Sequence, residues 1–234
     1  MTRTTLLWLA VAAALAVIVA GQVLTGTGRA HLTANAAAPV VAAGTDVLAG
    51  VRVVPRRVRG NDYHRAAFGD AWDDDTSAPG GHNGCDTRND ILTRDLVDTT
   101  VVSTKRCPHA VATGTLHDPY TNGTLAFIRG EQVGAAVQID HIVPLAFAWD
   151  MGARDWPDSL RRRFANDPAN LLAVAGNANQ DKGDLPPGEW MPPNRAFWCQ
   201  YAIQFAAVAR GYRLAVDEAS VGEIRNAAAG CRSN

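Results

Sequence analysis

Apolar and polar positions alternate in Val137-Gln138-Ile139-Asp140-His141, then the chain turns wholly apolar at Ile142-Val143 and stops at Pro144. Valine and isoleucine favour strands and proline cannot donate to a ladder, so this pattern predicts a short strand that ends at Asp140 and His141. A second apolar run, Leu171-Leu172-Ala173-Val174, is opened by Asn170 and predicts another strand. Between the two runs the pattern is helical over Leu145–Met151 and Asp158–Phe164, the latter closed by Asn166-Asp167-Pro168. A short helix carrying Asn179 and Lys182 follows the second strand.

Upstream, Val47–Val54 reads as a strand or a docked extended segment, and Asn61–Trp72 as a helix or turn packed through Tyr63, Phe68 and Trp72. A helix over Asn89–Asp98 is expected, with Asp86 or Thr87 as its N-cap. Val101–Cys107 and Ala110–Leu116 read as a hairpin, and Leu125–Ile128 as the next strand. Asn122-Gly123 before it favours a tight type I′ turn. These strands are expected to extend the sheet that carries Asp140 and His141. Downstream, Gly183–Pro193 is an irregular loop around Trp190. A long helix over Arg195–Arg210 follows, capped by Asn194, with Phe197, Tyr201, Phe205 and Val208 as its apolar stripe. Glu218–Ala229 is a final helix that ends at Gly230.

The first 36 residues read differently. Arg3 precedes an uncharged run, Leu6–Leu24, which marks an export segment. Cleavage near Ala34-Asn35-Ala36 gives a secreted protein. An uncleaved run gives a membrane anchor and a cell-surface protein, because its length approaches the ~20 residues that span a bilayer. Residues 37–46 are an Ala- and Gly-rich linker, and residues 47–234 form one domain. Residues 1–60 hold six Arg and one Asp, so the remainder carries 16 basic and 22 acidic residues. That balance argues against a protein that coats nucleic acid electrostatically, so any nucleic-acid surface must be local. Arg52, Arg56, Arg57 and Arg59 form a basic cluster, read as a solvated flank or a phosphate-contacting arm. Arg161, Arg162 and Arg163 point in different directions and read as a solvated helix, with at most one or two of them able to face DNA.

The chemistry concentrates at the end of the first strand. Aspartate is a hard oxygen ligand for a divalent cation, and a neutral histidine can take a proton from water near pH 7. A surface Asp-His pair is the plain alternative for the dipeptide alone. The ordered set Asp140-His141-Ile142-Val143-Pro144, Asn170-Leu171-Leu172 and Asn179-x-x-Lys182 resembles the HNH, or ββα-metal finger, endonucleases. Asn179 stands where many members carry histidine. Cys85-Asp86-Thr87-Arg88, Asp118-Pro119-Tyr120-Thr121, Phe164-Ala165-Asn166-Asp167-Pro168 and Glu189-Trp190-x-Pro192 resemble secreted bacterial HNH nucleases related to the C-terminal domain of GmrSD restriction enzymes. The resemblance implies an α+β fold. A small antiparallel sheet containing the ββα-metal motif would pack with several helices and be tied by two disulfides.

It also implies roles. His141 is the expected general base, with Asp140 and Asn179 as ligands of one divalent metal, Mg²⁺ first and Mn²⁺ second. Asn170 would position His141 or brace the strand pair, and Lys182 would contact phosphate. For Arg88, in the first turn of a helix where a cation opposes the dipole, the options are a salt bridge or a substrate phosphate. The implied function is hydrolysis of nucleic acid, DNA foremost, with low sequence specificity and no obligate protein partner. A non-catalytic exported binding module on the same fold is the alternative. No His-Glu-x-x-His, Gly-x-Ser-x-Gly or Cys-x-x-Cys occurs, and Asp73-Asp74-Asp75 lacks the ligand pattern of an EF-hand. Four cysteines on an exported chain imply two disulfides out of three connectivities. The local pairs Cys85–Cys107 and Cys199–Cys231 are the expected ones.

Overall fold

In a computed structural model of the chain the described residues are 44–130 and 136–231, together with 39, 41 and 42. The expected leader and part of the expected linker lie outside them. No helix among the described residues is long and apolar enough to cross a membrane.

Strand β1 (Arg52–Val54) opens the ordered elements, and a 3₁₀ turn at Arg65–Phe68 follows. Helix α1 (Thr87–Asp95) starts at Asp86, whose carboxylate accepts from the Asn89 amide. It ends three residues before the expected Asp98, because Val97 and Asp98 are drawn into strand β2 (Val97–Thr104). Strands β3 (Cys107–His117) and β4 (Thr124–Ile128) complete an antiparallel sheet in the order β2-β3-β4. The β3–β4 connection is not the expected two-residue turn. Only Asn122 of the Asn-Gly pair has positive φ, and the loop is closed by Asp118 and Gly123, whose backbones pair at 2.8 Å.

Strand β5 (Val137–His141) and strand β6 (Leu171–Ala175) form an antiparallel ribbon in which Asp140 faces Leu172 and His141 faces Leu171. Helices α2 (Leu145–Asp150) and α3 (Asp158–Ala165) fill the connection, and helix α4 (Gly176–Lys182) follows β6 directly. Helix α5 (Trp198–Gly211), strand β7 (Ala215–Asp217) and helix α6 (Glu218–Ala229) close the chain. Sequence periodicity does not reveal β7, which pairs in parallel with β1.

The expectation that the upstream strands extend the β5–β6 sheet is wrong: the ribbon stands as its own two-stranded sheet. Its outer edges are satisfied by side chains instead of further strands. On β6, Arg94 Nη2 donates to Leu171 O (2.8 Å), Asp95 accepts from the Ala173 amide (2.8 Å), and Asp118 accepts from the Ala175 amide (2.9 Å). On β5, Arg88 Nη2 donates to Val137 O (3.1 Å) and Lys182 Nζ to His141 O (2.8 Å). Buried strand edges need such partners, and here α1, α4 and the β3–β4 loop supply them.

The ribbon divides the core. Val137, Ile139, Leu171 and Ala173 pack with Ile91, Leu92 and Phe127. Leu172 and Val174 face the larger cluster built by α2, α3, α5 and α6. The expected stripe of Phe197, Tyr201, Phe205 and Val208 is buried in that cluster. The basic cluster near β1 takes neither expected role at Arg57. Its guanidinium is buried and clamps Asp150 (2.7 Å) and Asp184 (2.9 Å), pinning the N-terminal arm across α2 and the loop after α4. Likewise Arg161 and Arg163 turn back onto backbone carbonyls of Ala67 and Ser77.

Both expected disulfides are present. Cys85–Cys107 joins the start of α1 to the β2–β3 turn, and Cys199–Cys231 joins α5 to the end of α6. Closing a loop of 32 residues stabilises by about 3–4 kcal/mol in the chain-entropy model. Urea denaturation of a Cys199→Ala/Cys231→Ala protein should show a loss of that order with helix content retained. A loss under about 1 kcal/mol would show that the helix packing alone holds the pair.

Candidate active site

Successive side chains on a strand point to opposite faces, so β5 sends Asp140 and His141 in different directions from neighbouring backbone positions. Asp140 turns towards α4 and the larger core. Lys182 Nζ lies 2.9 Å from its Oδ1 and 2.8 Å from its Oδ2, and the Tyr120 hydroxyl donates to Oδ2 at 2.5 Å. Lys182 has no exposed surface and Asp140 is 5% exposed. Burial raises the Asp140 pKa and lowers that of Lys182, each opposed by the attraction between them. Helix α4 can deliver Lys182 here because the chain turns sharply after it, at Gly183 with φ of 51°, a conformation that favours glycine. Tyr120 is delivered by the β3–β4 loop. Asp118 accepts from the Thr121 amide and from Ala175 N, which locks that loop to the end of β6.

His141 points the other way. Its Nε2 lies 2.9 Å from the carbonyl of Ala165 at the end of α3. A carbonyl only accepts, so Nε2 carries the proton and Nδ1 keeps the lone pair. The indole of Trp72 lies nearly parallel to the imidazole, 11° between planes and 5.8 Å between centroids. Burial lowers the His141 pKa to about 3 despite the Ala165 hydrogen bond, and the charges of Arg65 and Lys182 push it the same way. The imidazole is therefore neutral at ordinary pH.

Asn170 is fully buried and clamps the backbone just past His141. Its Oδ1 accepts from Val143 N (2.8 Å), its Nδ2 donates to Val143 O (3.2 Å), and its own carbonyl accepts from Ile142 N (2.8 Å). Asn179 sits on α4 with its Nδ2 on Gln138 Oε1 at 2.8 Å. A cavity of about 520 Å³ is lined by Asp140, His141, Asn179, Arg65, Arg88 and Trp72, among others.

Two oxygen-bearing side chains, Asp140 and Asn179, line this cavity, and oxygen is what a hard divalent cation prefers. The amide nitrogen of Asn179 is engaged by Gln138, which leaves Oδ1 as its ligand atom. The Asp140 carboxylate already meets Lys182 at both oxygens, Tyr120 at Oδ2 and the backbone of His141. It would have to give up one of these contacts to join Asn179 in holding an ion. The Lys182 charge neutralises Asp140, so such a site would be weak until a phosphate adds its own oxygens. Elsewhere among the described residues, Cys85, Cys107 and His109 bring ligand-type atoms within 4.8 Å of one another. The two sulfurs are bonded to each other, offer no thiolate, and make no metal centre.

Of the residues singled out in the sequence, Asp140, His141, Asn179 and Arg88 share one cavity. Asn170 stands behind them as a brace. Lys182, expected at phosphate, lies instead beneath Asp140. Tyr120 and Trp72 escape sequence reasoning: the first sits in a segment that reads as a turn, the second reads as a core aromatic. The Asp118-Pro119-Tyr120-Thr121 motif was the available signal for Tyr120.

The family model of the C-terminal domain of GmrSD restriction endonucleases matches residues 86–221. The chain belongs to this family. The matched segment holds Arg88, Tyr120, Asp140, His141, Asn170, Asn179 and Lys182, and the family is described as that of restriction endonucleases. An "Uncharacterized secreted protein" of Arthroderma benhamiae is 39% identical over 137 residues, 58% of this chain. The chain spans about 62% of the length of that relative. No solved structure matches.

Two predictions follow from the buried groups. Replacing Lys182 by Met strands the Asp140 carboxylate and should destabilise the protein by about 3–5 kcal/mol. Adding Asp140→Asn should recover part of that loss, and urea denaturation of the two variants measures both. Equal stability of single and double variants would mean that the pair is not coupled. The second concerns pH. In the unfolded chain His141 titrates near 6.5, whereas in the fold it stays neutral to about 3. Below pH 6.5 the unfolded state binds a proton that the folded state does not, so stability falls as pH drops through that window. In EDTA, unfolding free energy between pH 7 and 5 should fall more steeply for the wild type than for His141→Gln. Identical slopes would show that His141 is not held neutral.

Proposed function

We propose that this protein is an exported, metal-dependent HNH endonuclease that hydrolyses phosphodiester bonds of nucleic acid, DNA foremost, with little sequence preference. The observation that carries this reading is the orientation of His141. Its Nε2–H is committed to the Ala165 carbonyl at 2.9 Å, which leaves the Nδ1 lone pair on a neutral imidazole beside Asp140 and Asn179. The ring is fixed and unprotonated, and an anionic phosphate bound beside it would raise the pKa that burial holds at about 3 towards the range a general base needs.

His141 Nδ1 takes the proton of the water that attacks phosphorus. The Ala165 carbonyl stabilises the imidazolium formed and keeps the ring from rotating. Asp140 and Asn179 would hold a divalent metal, Mg²⁺ or Mn²⁺, which would supply positive charge at the phosphate. Lys182 and Tyr120 fix the Asp140 carboxylate, Asn170 fixes the chain after His141, and Arg88 meets a phosphate oxygen at the cavity edge. Cations directed at phosphates position the substrate without reading bases, which accords with low sequence preference. DNA is favoured because the family is described as that of restriction endonucleases. Export is supported by the uncharged N-terminal run, the two disulfides and the secreted relative. The released form is preferred over one anchored by that run.

Plasmid nicking by the oxidised protein in Mg²⁺, Mn²⁺ or EDTA tests the reading. Cleavage should require metal, fall by about 10²–10⁴-fold in His141→Ala, and need more metal in Asn179→Ala. Cleavage that survives His141→Ala would refute the assignment of the base. DNA binding with no cleavage of DNA or RNA in any metal would make the protein a binding module instead.

A further inference from the structure

The placement of Lys182 removes one of the cations expected at the scissile phosphate. The lysine amine is fully buried and spent on Asp140 and the His141 carbonyl. Two other cations line the cavity at His141, Arg88 and Arg65. Arg88 is partly buried in the first turn of α1 and donates to Val137 O, so its guanidinium is tied to the ribbon edge. Arg65 is different. It is exposed at the start of the 3₁₀ turn before Phe68, and its immediate polar neighbour is the neutral phenol of Tyr63. Among the described residues it enters no ion pair with a carboxylate, in contrast to Arg57, Arg59 and Arg154 nearby.

Arg65 also lines a second cavity, of about 260 Å³, with Phe68, Gly69, Trp72, Ala165 and His141. The two cavities meet at His141, and Arg65 borders both. A phosphodiester bound where the cavities meet would have the His141 imidazole and the Arg65 guanidinium on its border.

We propose that Arg65 binds the phosphodiester that is cleaved, as the exposed cation of the site. The inference rests on the nuclease reading above. Arg65 lies outside residues 86–221, the part of the chain that matches the family model, and nothing in the HNH motif itself designates it. A guanidinium offers two parallel N–H groups to two phosphate oxygens, whereas a lysine presents a point charge.

The test uses the whole oxidised protein with Arg65→Ala and Arg65→Lys. Substrates are supercoiled plasmid and bis(p-nitrophenyl) phosphate in Mg²⁺ or Mn²⁺. Binding of a fluorescein-labelled DNA duplex is followed in EDTA over a range of NaCl concentrations. Arg65→Ala should lower kcat on both substrates by about 10²-fold, and Arg65→Lys should restore part of it. The urea midpoint should not move, because the side chain is exposed. The slope of log binding constant against log salt should fall by about one contact. If wild type cleaves and Arg65→Ala stays within about threefold of it, the proposal is wrong. An effect on plasmid KM alone, absent on the small diester, would place Arg65 at a distant phosphate and also overturn it. If wild type cleaves no nucleic acid, the nuclease reading fails. In that case an unchanged salt slope in Arg65→Ala removes the phosphate contact too, and a reduced slope retains it for binding alone.

Discussion

One buried amine holds the functional end of this protein together. Lys182 Nζ bonds both oxygens of Asp140 and the carbonyl of His141, so a single group fixes the side chain of one residue and the backbone of the next. A two-stranded ribbon is marginal by itself, and among the described residues β5–β6 has no further strand on either side. Its stability depends on side chains that occupy its edges, and Lys182 is the one nearest the chemistry. Removing the charge would leave both a carboxylate and a carbonyl unsatisfied in the core. Strand pairing, helix α4 and the orientation of the reactive residues therefore stand or fall together.

The same arrangement sets the electrostatics. Asp140 is neutralised by Lys182 and steadied by Tyr120, while His141 is kept neutral by burial under Trp72 and against Ala165. The motif itself thus brings almost no net charge to the cavity, and its positive field comes from Arg65 and Arg88 at the margin. Under the proposed nuclease reading, attraction need not cover the surface of an acidic domain, because two guanidinium groups and a divalent cation would act at one phosphate. Three other arginines act as fasteners: Arg57 joins the N-terminal arm to α2 and the loop after α4, and Arg94 and Arg161 hold backbone carbonyls.

The order of short elements, the strand–strand–helix motif, the helix stripe on α5 and both disulfides are legible in the chain, because each depends on neighbours close in sequence. Alternation in Val137–His141 marks β5, and Asp217 and Gly230 bracket the last helix. The order Asp140-His141, Asn170, Asn179, Lys182 carries the resemblance to the family, since side-chain type and spacing survive without coordinates. What only the folded molecule decides is which of these groups face one another. Tyr120 reaches Asp140 across 20 residues, Ala165 reaches His141 across 24, and Asp95 takes the place of a neighbouring strand at Ala173 across 78. Lys182 looks like a phosphate ligand by its place in the motif and becomes a buried partner of Asp140, because helix α4 packs its last turn against β5. Periodicity specifies the face on which a side chain lies. Its partner, its burial and hence its charge state are set by packing between segments far apart in the chain, which no local pattern encodes.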